Sequence, residues 1–187
     1  MSSLRTLFPF FNSSSETYLD TAATSQRLSD SLTAMNNYYE NFNANVHRGN
    51  YVSAIKASTE YENARQEIAD FIGAKNTSEV VFTSGATEAL NLIANGLDVS
   101  LLQGKYILLC ESEHHANLIP WQVFAAQHSL TIKKISMGVN GVFTDIELDE
   151  TLKILSEDVA IMAIAHVSNV LGNVFPIEAL CKKANEV

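Results

Sequence analysis

Three short stretches of the 187-residue chain carry side chains suited to chemistry: "TSGATEALN" (83–91), "EHHAN" (113–117) and "AHVSNVLGN" (165–173). In the first, Ser, Gly, Ala and Thr stand where an apolar run gives way to a helical pattern. Free N–H groups at such a turn, aided by the helix dipole, suit a phosphate. Gly85 would admit close approach and Thr87 would add a hydroxyl donor, although the same residues also make an ordinary helix N-cap. In the second stretch, His114 and His115 are adjacent, so their side chains diverge and are not expected to share one job. A metal pair would need further ligands, and no His/Cys/Asp/Glu cluster at ligand spacing accompanies them. One ring could instead be packed with its N–H satisfied, or lie flat over a planar ligand. In the third stretch, Asn169 has an amide that both donates and accepts, in a loop that Gly172 lets bend; a bare Asn also serves as a turn former. Taken together on one rim, the three describe a phosphorylated planar ligand. Its phosphate would sit on "SGAT", its ring against His114 or His115, and a polar substituent at Asn169.

These stretches need elements to hold them in place. Short apolar runs at 79–83, 106–110, 131–136 and 159–167 alternate with helical patterns, which predicts a parallel or mostly parallel sheet with helices on both faces. Ligands of such sheets bind beyond the carboxyl ends of the strands, where all three stretches fall. Helices are predicted up to Gly96, through about His128, over a face carrying Leu148, Leu152 and Leu155, and after Pro176. Asn140-Gly141 reads as a tight turn. Further upstream, residues 1–17 read as an arm with a Phe8-Pro9-Phe10-Phe11 cluster docking onto the body, and "TYLDTAATSQ" as an extended piece followed by a turn. An Asn-rich helix is predicted over 29–43 and a loop over 45–54. A second helix carries the stripe Ala57, Tyr61, Ala64, Ile68 and Phe71 and stops at Gly73.

The bulk composition excludes some partners. A net charge of −9 argues against nucleic acid and against a membrane surface, since both select basic patches. No apolar stretch approaches the roughly 20 residues of a membrane span. The amino terminus lacks a signal-peptide pattern. Cys110 and Cys181 both stand in apolar surroundings and read as buried thiols of a cytoplasmic protein.

The stretches "YLDTAATSQ", "NVHRGNY", "TSGATEALNLIA", "EHHANLIPWQ" and "HVSNVLGN" occur in one order from about residue 4 onward. In this the chain resembles the cysteine desulfurases of the SufS/CsdA type, in the class V aminotransferase group of fold-type-I pyridoxal-phosphate enzymes. The resemblance implies an incomplete large domain of that fold, with 1–28 as an N-terminal arm and substrate-side turn and 29–187 as the first part of the cofactor-binding domain. It implies that Ala86 and Thr87 hold the phosphate of pyridoxal 5'-phosphate. His114 would stack on the ring and move protons, and Asn169 would lie by the ring hydroxyl and the substrate carboxylate. Ala23 would lie near the substrate, and His47-Arg48 near the active-site mouth of a homodimer. The implied reaction takes sulfur from L-cysteine, leaving alanine and an enzyme persulfide, with a sulfur-acceptor protein as partner and iron–sulfur cluster assembly as the setting.

The resemblance has two departures. Tyr51 stands where relatives often carry a histidine. The Asp that pairs with the ring nitrogen, the Schiff-base lysine and the persulfide cysteine belong to segments that would follow Val187, so a natural product about twice this length is expected. No lysine here lies in a rim loop, and neither cysteine is placed like the persulfide cysteine. Two rival functions remain at this point: a non-catalytic remnant acting as a binding or dimerisation subunit, and a metal-dependent hydrolase built on His114-His115.

Overall fold

The computed structural model describes residues 4–138, 141–156 and 158–187. The chain divides into two compact units, Met1–Phe82 and Thr83–Val187.

In the first unit, a 3₁₀ turn at Leu4–Leu7 leads to the short helix α1 (Phe10–Ser13). The predicted aromatic cluster packs within the arm. Phe10 meets Phe11 and Tyr18 edge-on, with centroids 5.1 and 6.0 Å apart, and the Arg5 guanidinium lies 4.0 Å from the Phe11 ring. Ser29 Oγ, at the start of α2 (Ser29–Asn41), donates to the Leu7 carbonyl at 3.1 Å. The turn at 20–24 is present, with Ala23 and Thr24 N–H both donating to Asp20 O. Helix α3 (Val52–Ile72) starts inside the predicted loop and ends at Gly73, as expected. Gly73 takes φ 72° and its N–H donates to Ala69 O and Asp70 O, a left-handed stop that glycine adopts without steric cost.

The buried face of α3 is rotated from the predicted stripe. Ala54, Ala57 and Ala69 are buried, whereas Ile68 is exposed and Phe71 is 91% exposed. The cause is Arg65, a charged residue that apolar periodicity passes over. Its guanidinium lies 5.1 Å from the Tyr61 ring centroid and 4.9 Å from that of Phe82, and it donates to the Val80 carbonyl. The segment after the helix is therefore drawn across the 61/65/69 face. The 79–83 segment is not a strand. It follows a 3₁₀ turn at Thr77–Glu79, and Val80 has extended dihedrals (φ −102°, ψ 115°), but no other strand pairs with it among the described residues. The expected fourth strand thus becomes an extended lead-in. Extended dihedrals follow from β-branched residues; a strand also needs a partner.

The second unit is an α/β layer structure. Strands β1 (Tyr106–Cys110), β2 (Thr131–Ile135) and β3 (Val159–Ala163) form a wholly parallel sheet in the order β2-β1-β3. Leu109 lies opposite Lys134 on one side and Ala163 on the other. Alternation along β1 feeds two cores. Ile107 and Leu109 face α4 (Ala86–Gly96) and α5 (His115–His128) through Ala94, Trp121, Phe124 and Ala125. Leu108 and Cys110 face the other way, toward Ile135, Leu155, Phe175 and Leu180, with α6 (Asp145–Ile154) and α7 (Ile177–Glu186) as cover. Ile107, Leu108 and Leu109 are at most 1% exposed, each contributing roughly 1.5–3 kcal/mol. Helices on both faces are thus present, as the continuous apolar run of β1 requires.

Gly104 sets the entry to β1. A Cβ there would lie 2.5 Å from the Asp158 carbonyl, and the next two N–H groups, of Lys105 and Tyr106, both donate to that oxygen. Only glycine allows β1 to start so close to β3. In the predicted Asn140-Gly141 turn, Gly141 takes φ 71° and its N–H donates to Gly138 O at 3.0 Å, while Asn140 lies outside the described residues. Cys110 is buried, but Cys181 is exposed on α7, correcting its reading as a buried thiol. Residue 181 follows the buried Leu180 directly, and on a helix the next residue turns about 100° away.

Candidate active site

Ala86, Thr87, His114 and Asn169 all belong to the second unit, and Ala23 belongs to the first. The four are held by different elements. Ala86 is the first residue of α4 and Thr87 the second, with Gly85 as N-cap and no side chain capping the helix. The first turn closes with Ala89 N–H donating to Gly85 O at 3.1 Å, so the N–H groups of Ala86, Thr87 and Glu88 have no acceptor within the helix. A Cβ built on Gly85 would meet nothing within 4 Å, so the space over these donors is open. Glu88 turns back to accept from Ser84 N–H at 2.6 Å. Its hydrogen bonds to Ser84, side chain first and then backbone, hold its carboxyl below the usual glutamate range.

His114 is the N-cap of α5, and His115 is the first helical residue. The Nδ1 of His114 accepts from Ala116 N–H at 3.0 Å. As an acceptor, Nδ1 carries no hydrogen, so the remaining N–H is at Nε2 and the ring is held in one plane at the rim. His114 and His115 are both exposed, with ring centroids 6.5 Å apart and planes inclined by 54°. The side chain of His115 takes part in no hydrogen bond among the described residues.

The bracing comes from two carboxylates that sequence reasoning passed over. Glu113, only 9% exposed, accepts from Ala165 N–H at 2.7 Å through Oε1 and from Asn117 Nδ2 at 2.9 Å through Oε2. Asn117 Oδ1 in turn accepts from Trp121 Nε1 at 3.1 Å, inside the α4/α5 core. Glu111 Oε1 accepts from Met137 N–H at 2.7 Å. The segment leaving the central strand β1 therefore ties down what leaves each neighbour: Glu111 holds the chain after β2, and Glu113 the chain after β3. A signal was present in the i, i+4 spacing of Glu113, Asn117 and Trp121, which aligns them along one helix face.

Asn169 is exposed at the tip of a folded loop. The loop is closed by the Val167–Val174 bridge, by Ser168 N–H donating to Asn173 O, and by Phe175 N–H donating to His166 O. Buried Ser168 stiffens the tip, its Oγ accepting from Val170 and Leu171 N–H at 3.3 and 3.1 Å. Since β1 and β3 are neighbours, the loops carrying His114 and Asn169 leave adjacent strand ends and are joined by the Glu113–Ala165 bond. Helix α4, which carries Ala86 and Thr87, packs along α5. Burial pushes the Cys110 thiol up, against a lowering by its hydrogen bond with Ser112, and the charges of Glu113 and Glu111 add to the rise. It is a protonated, inert thiol at neutral pH. Among the described residues no group of three or more His, Cys, Asp or Glu is placed to hold a metal ion, and no helix is long and apolar enough to cross a membrane.

Residues 17–187 match the aminotransferase class-V family, to which the chain belongs. Within that family it is similar to a probable cysteine desulfurase of Vibrio cholerae, at 41% identity over all of this chain and 46% of that protein. Two solved structures agree. Cysteine desulfurase from Thermococcus onnurineus NA1 has a TM-score of 0.87 and 35% identity, over 98% of this chain and 44% of that one. The cysteine desulfurase CsdA from Escherichia coli has a TM-score of 0.80 and 29% identity, over 97% of this chain and 45% of that one. The chain spans a little under half the length of each of these relatives.

Proposed function

We propose that the protein is a pyridoxal-phosphate-dependent cysteine desulfurase of the cytoplasm, working as a homodimer and passing sulfur to an acceptor protein. The observation that carries this reading is the His114 ring, bonded to Ala116 N–H at the start of α5, a helix packed along α4, whose first N–H groups have no acceptor within the helix. The donor set suits the cofactor: unpaired N–H groups at Ala86 and Thr87 and the Thr87 hydroxyl for a dianionic phosphate, and an imidazole face for a planar ring.

When bound, pyridoxal phosphate supplies an electron sink for bond cleavage at the amino-acid substrate. The chain's own residues do the rest. Ala86 and Thr87 anchor the phosphate end, the His114 ring face sets the plane, and its Nε2 is the group available to hold or move a proton. Asn169 offers a donor and an acceptor to a ring hydroxyl or a substrate carboxylate. Ala23, in the turn at 20–24, is the residue the family resemblance assigns to the substrate side. In this reading 1–28 is the arm and substrate-side turn, and 29–187 the first part of the cofactor-binding domain.

The test uses the full-length protein with added pyridoxal phosphate and L-cysteine. Appearance of the cofactor's bound absorbance and one alanine per sulfur released supports the proposal. A protein that stays colourless in excess cofactor overturns it. Within an active preparation, His114→Ala is expected to lower turnover by about 10²–10⁴-fold, and His115→Ala by less than about threefold, because the His115 side chain makes no hydrogen bond among the described residues. The reverse ranking would reassign the ring partner.

A further inference from the structure

Taking the cofactor reading above as its basis, we infer that Glu113 is a positioning residue, setting the His114 ring and the Asn169 loop at a fixed separation around the cofactor ring.

Glu113 immediately precedes His114, is 9% exposed, and spends both carboxylate oxygens on bonds within the protein. One bond spans 52 residues of sequence to Ala165 N–H, at the base of the loop that ends in Asn169. The other, through Asn117, leads to the indole N–H of Trp121, whose ring is packed edge-on against Phe124 in the core. The carboxylate thus links three bodies: the α5 start that orients His114, the loop after β3, and a rigid aromatic anchor. Its charge lies beside the first turn of α5, where the helix dipole favours an anion. Neither side chain it would position makes a comparable anchor of its own. Among the described residues the one hydrogen bond of the His114 ring is to the adjacent Ala116 N–H, and Asn169 is exposed at its loop tip.

The hydrogen-bond polarity gives a specific test. In Glu113→Gln, one oxygen still accepts from Ala165, but the new amide N–H group faces the Asn117 amide, donor against donor. Adding Asn117→Asp reverses that partner. The introduced glutamine amide then donates to the introduced aspartate carboxylate, which still accepts from Trp121, and the total charge matches the wild type. Pyridoxal phosphate is titrated into the full-length apo protein by absorbance, and exchange of the Ala165 amide is followed without cofactor. Glu113→Gln is expected to weaken cofactor binding by about tenfold, shift the bound absorption band and speed Ala165 exchange by a similar factor. The double variant is expected to return all three to within about threefold of wild type. A carboxylate that served the fold alone would speed Ala165 exchange in Glu113→Gln but leave the bound absorption band where it is. Wild-type cofactor affinity and band in Glu113→Gln, or a double variant no better than the single one, overturns the inference. A wild-type protein that binds no pyridoxal phosphate overturns the functional reading itself, whatever Ala165 exchange shows.

Discussion

Of the carboxylates at helix starts in the second unit, Glu88 and Glu113 work on different scales. Glu88 lies in the first turn of α4, is exposed, and reaches back four residues to Ser84. Glu113 lies just before α5, is nearly buried, and reaches 52 residues to Ala165. Helix-dipole reasoning treats the two alike. Burial separates them: water can replace the bond of Glu88, whereas losing Glu113 strands an amide N–H and an Asn amide in a desolvated site. The lesson concerns the rim. Under the proposed function its phosphate side would be a local turn open to a ligand, and its ring side a clamp held by Glu113.

The largest effect that sharpens this contrast is Glu113→Ala. Removing one partner of a buried, charge-assisted pair is expected to cost about 2–3 kcal/mol, read as a lowered urea midpoint by circular dichroism. A loss below about 0.5 kcal/mol would show that water reaches the site, and the two carboxylates would differ only in sequence reach.

Trp121→Phe probes the far end of the same chain of bonds. It keeps an aromatic ring in the core but leaves Asn117 Oδ1 without its donor, for an expected loss of about 1–2 kcal/mol. Combined with Glu113→Ala, the losses should fall short of additive, since both variants break one network. Strict additivity would mean that Asn117 keeps Glu113 and Trp121 energetically separate.

Much of this was legible in the sequence, for identifiable reasons. The three strands and their helices follow from apolar runs such as "YILLC" and from stops such as Gly73, because burial on both faces leaves no other pattern. The loops carrying His114 and Asn169 were legible as neighbours because strand exits in a parallel sheet fall at one end, whereas the segment before Ala86 and Thr87 proved not to be a strand. Periodicity failed where a polar residue took a core position. Arg65 turned the face of α3, and Val80 lies extended with no strand partner among the described residues. Glu113 and Glu111 were missed for the same reason: their partners are backbone N–H groups 52 and 26 residues away, and no local pattern encodes a bond to a distant backbone. Sequence spacing reveals side chains that face each other on one element, and here it could show only Glu113, Asn117 and Trp121.

The smallest expected effect belongs to Glu88 and carries the sharpest pH signature. Its hydrogen bonds to Ser84 lower its folded-state pKa. The stabilisation they give is therefore present above the ordinary glutamate pKa and lost as pH falls through the lowered folded value. At neutral pH, Glu88→Gln should leave the urea midpoint essentially unchanged, because the group is exposed. In acid the two proteins should separate. Exchange of the Ser84 amide, corrected for its intrinsic pH dependence, should rise in the wild type below the ordinary carboxylate range and stay level in the variant. Phosphate bound over Gly85 would add a second negative charge near Glu88, so the carboxylate should release Ser84 when the seat fills. Protection of Ser84 that vanishes on adding cofactor to the full-length protein would mark this turn as the side of the rim that rearranges. Protection that persists would make it a second clamp, and the contrast with Glu113 would fail.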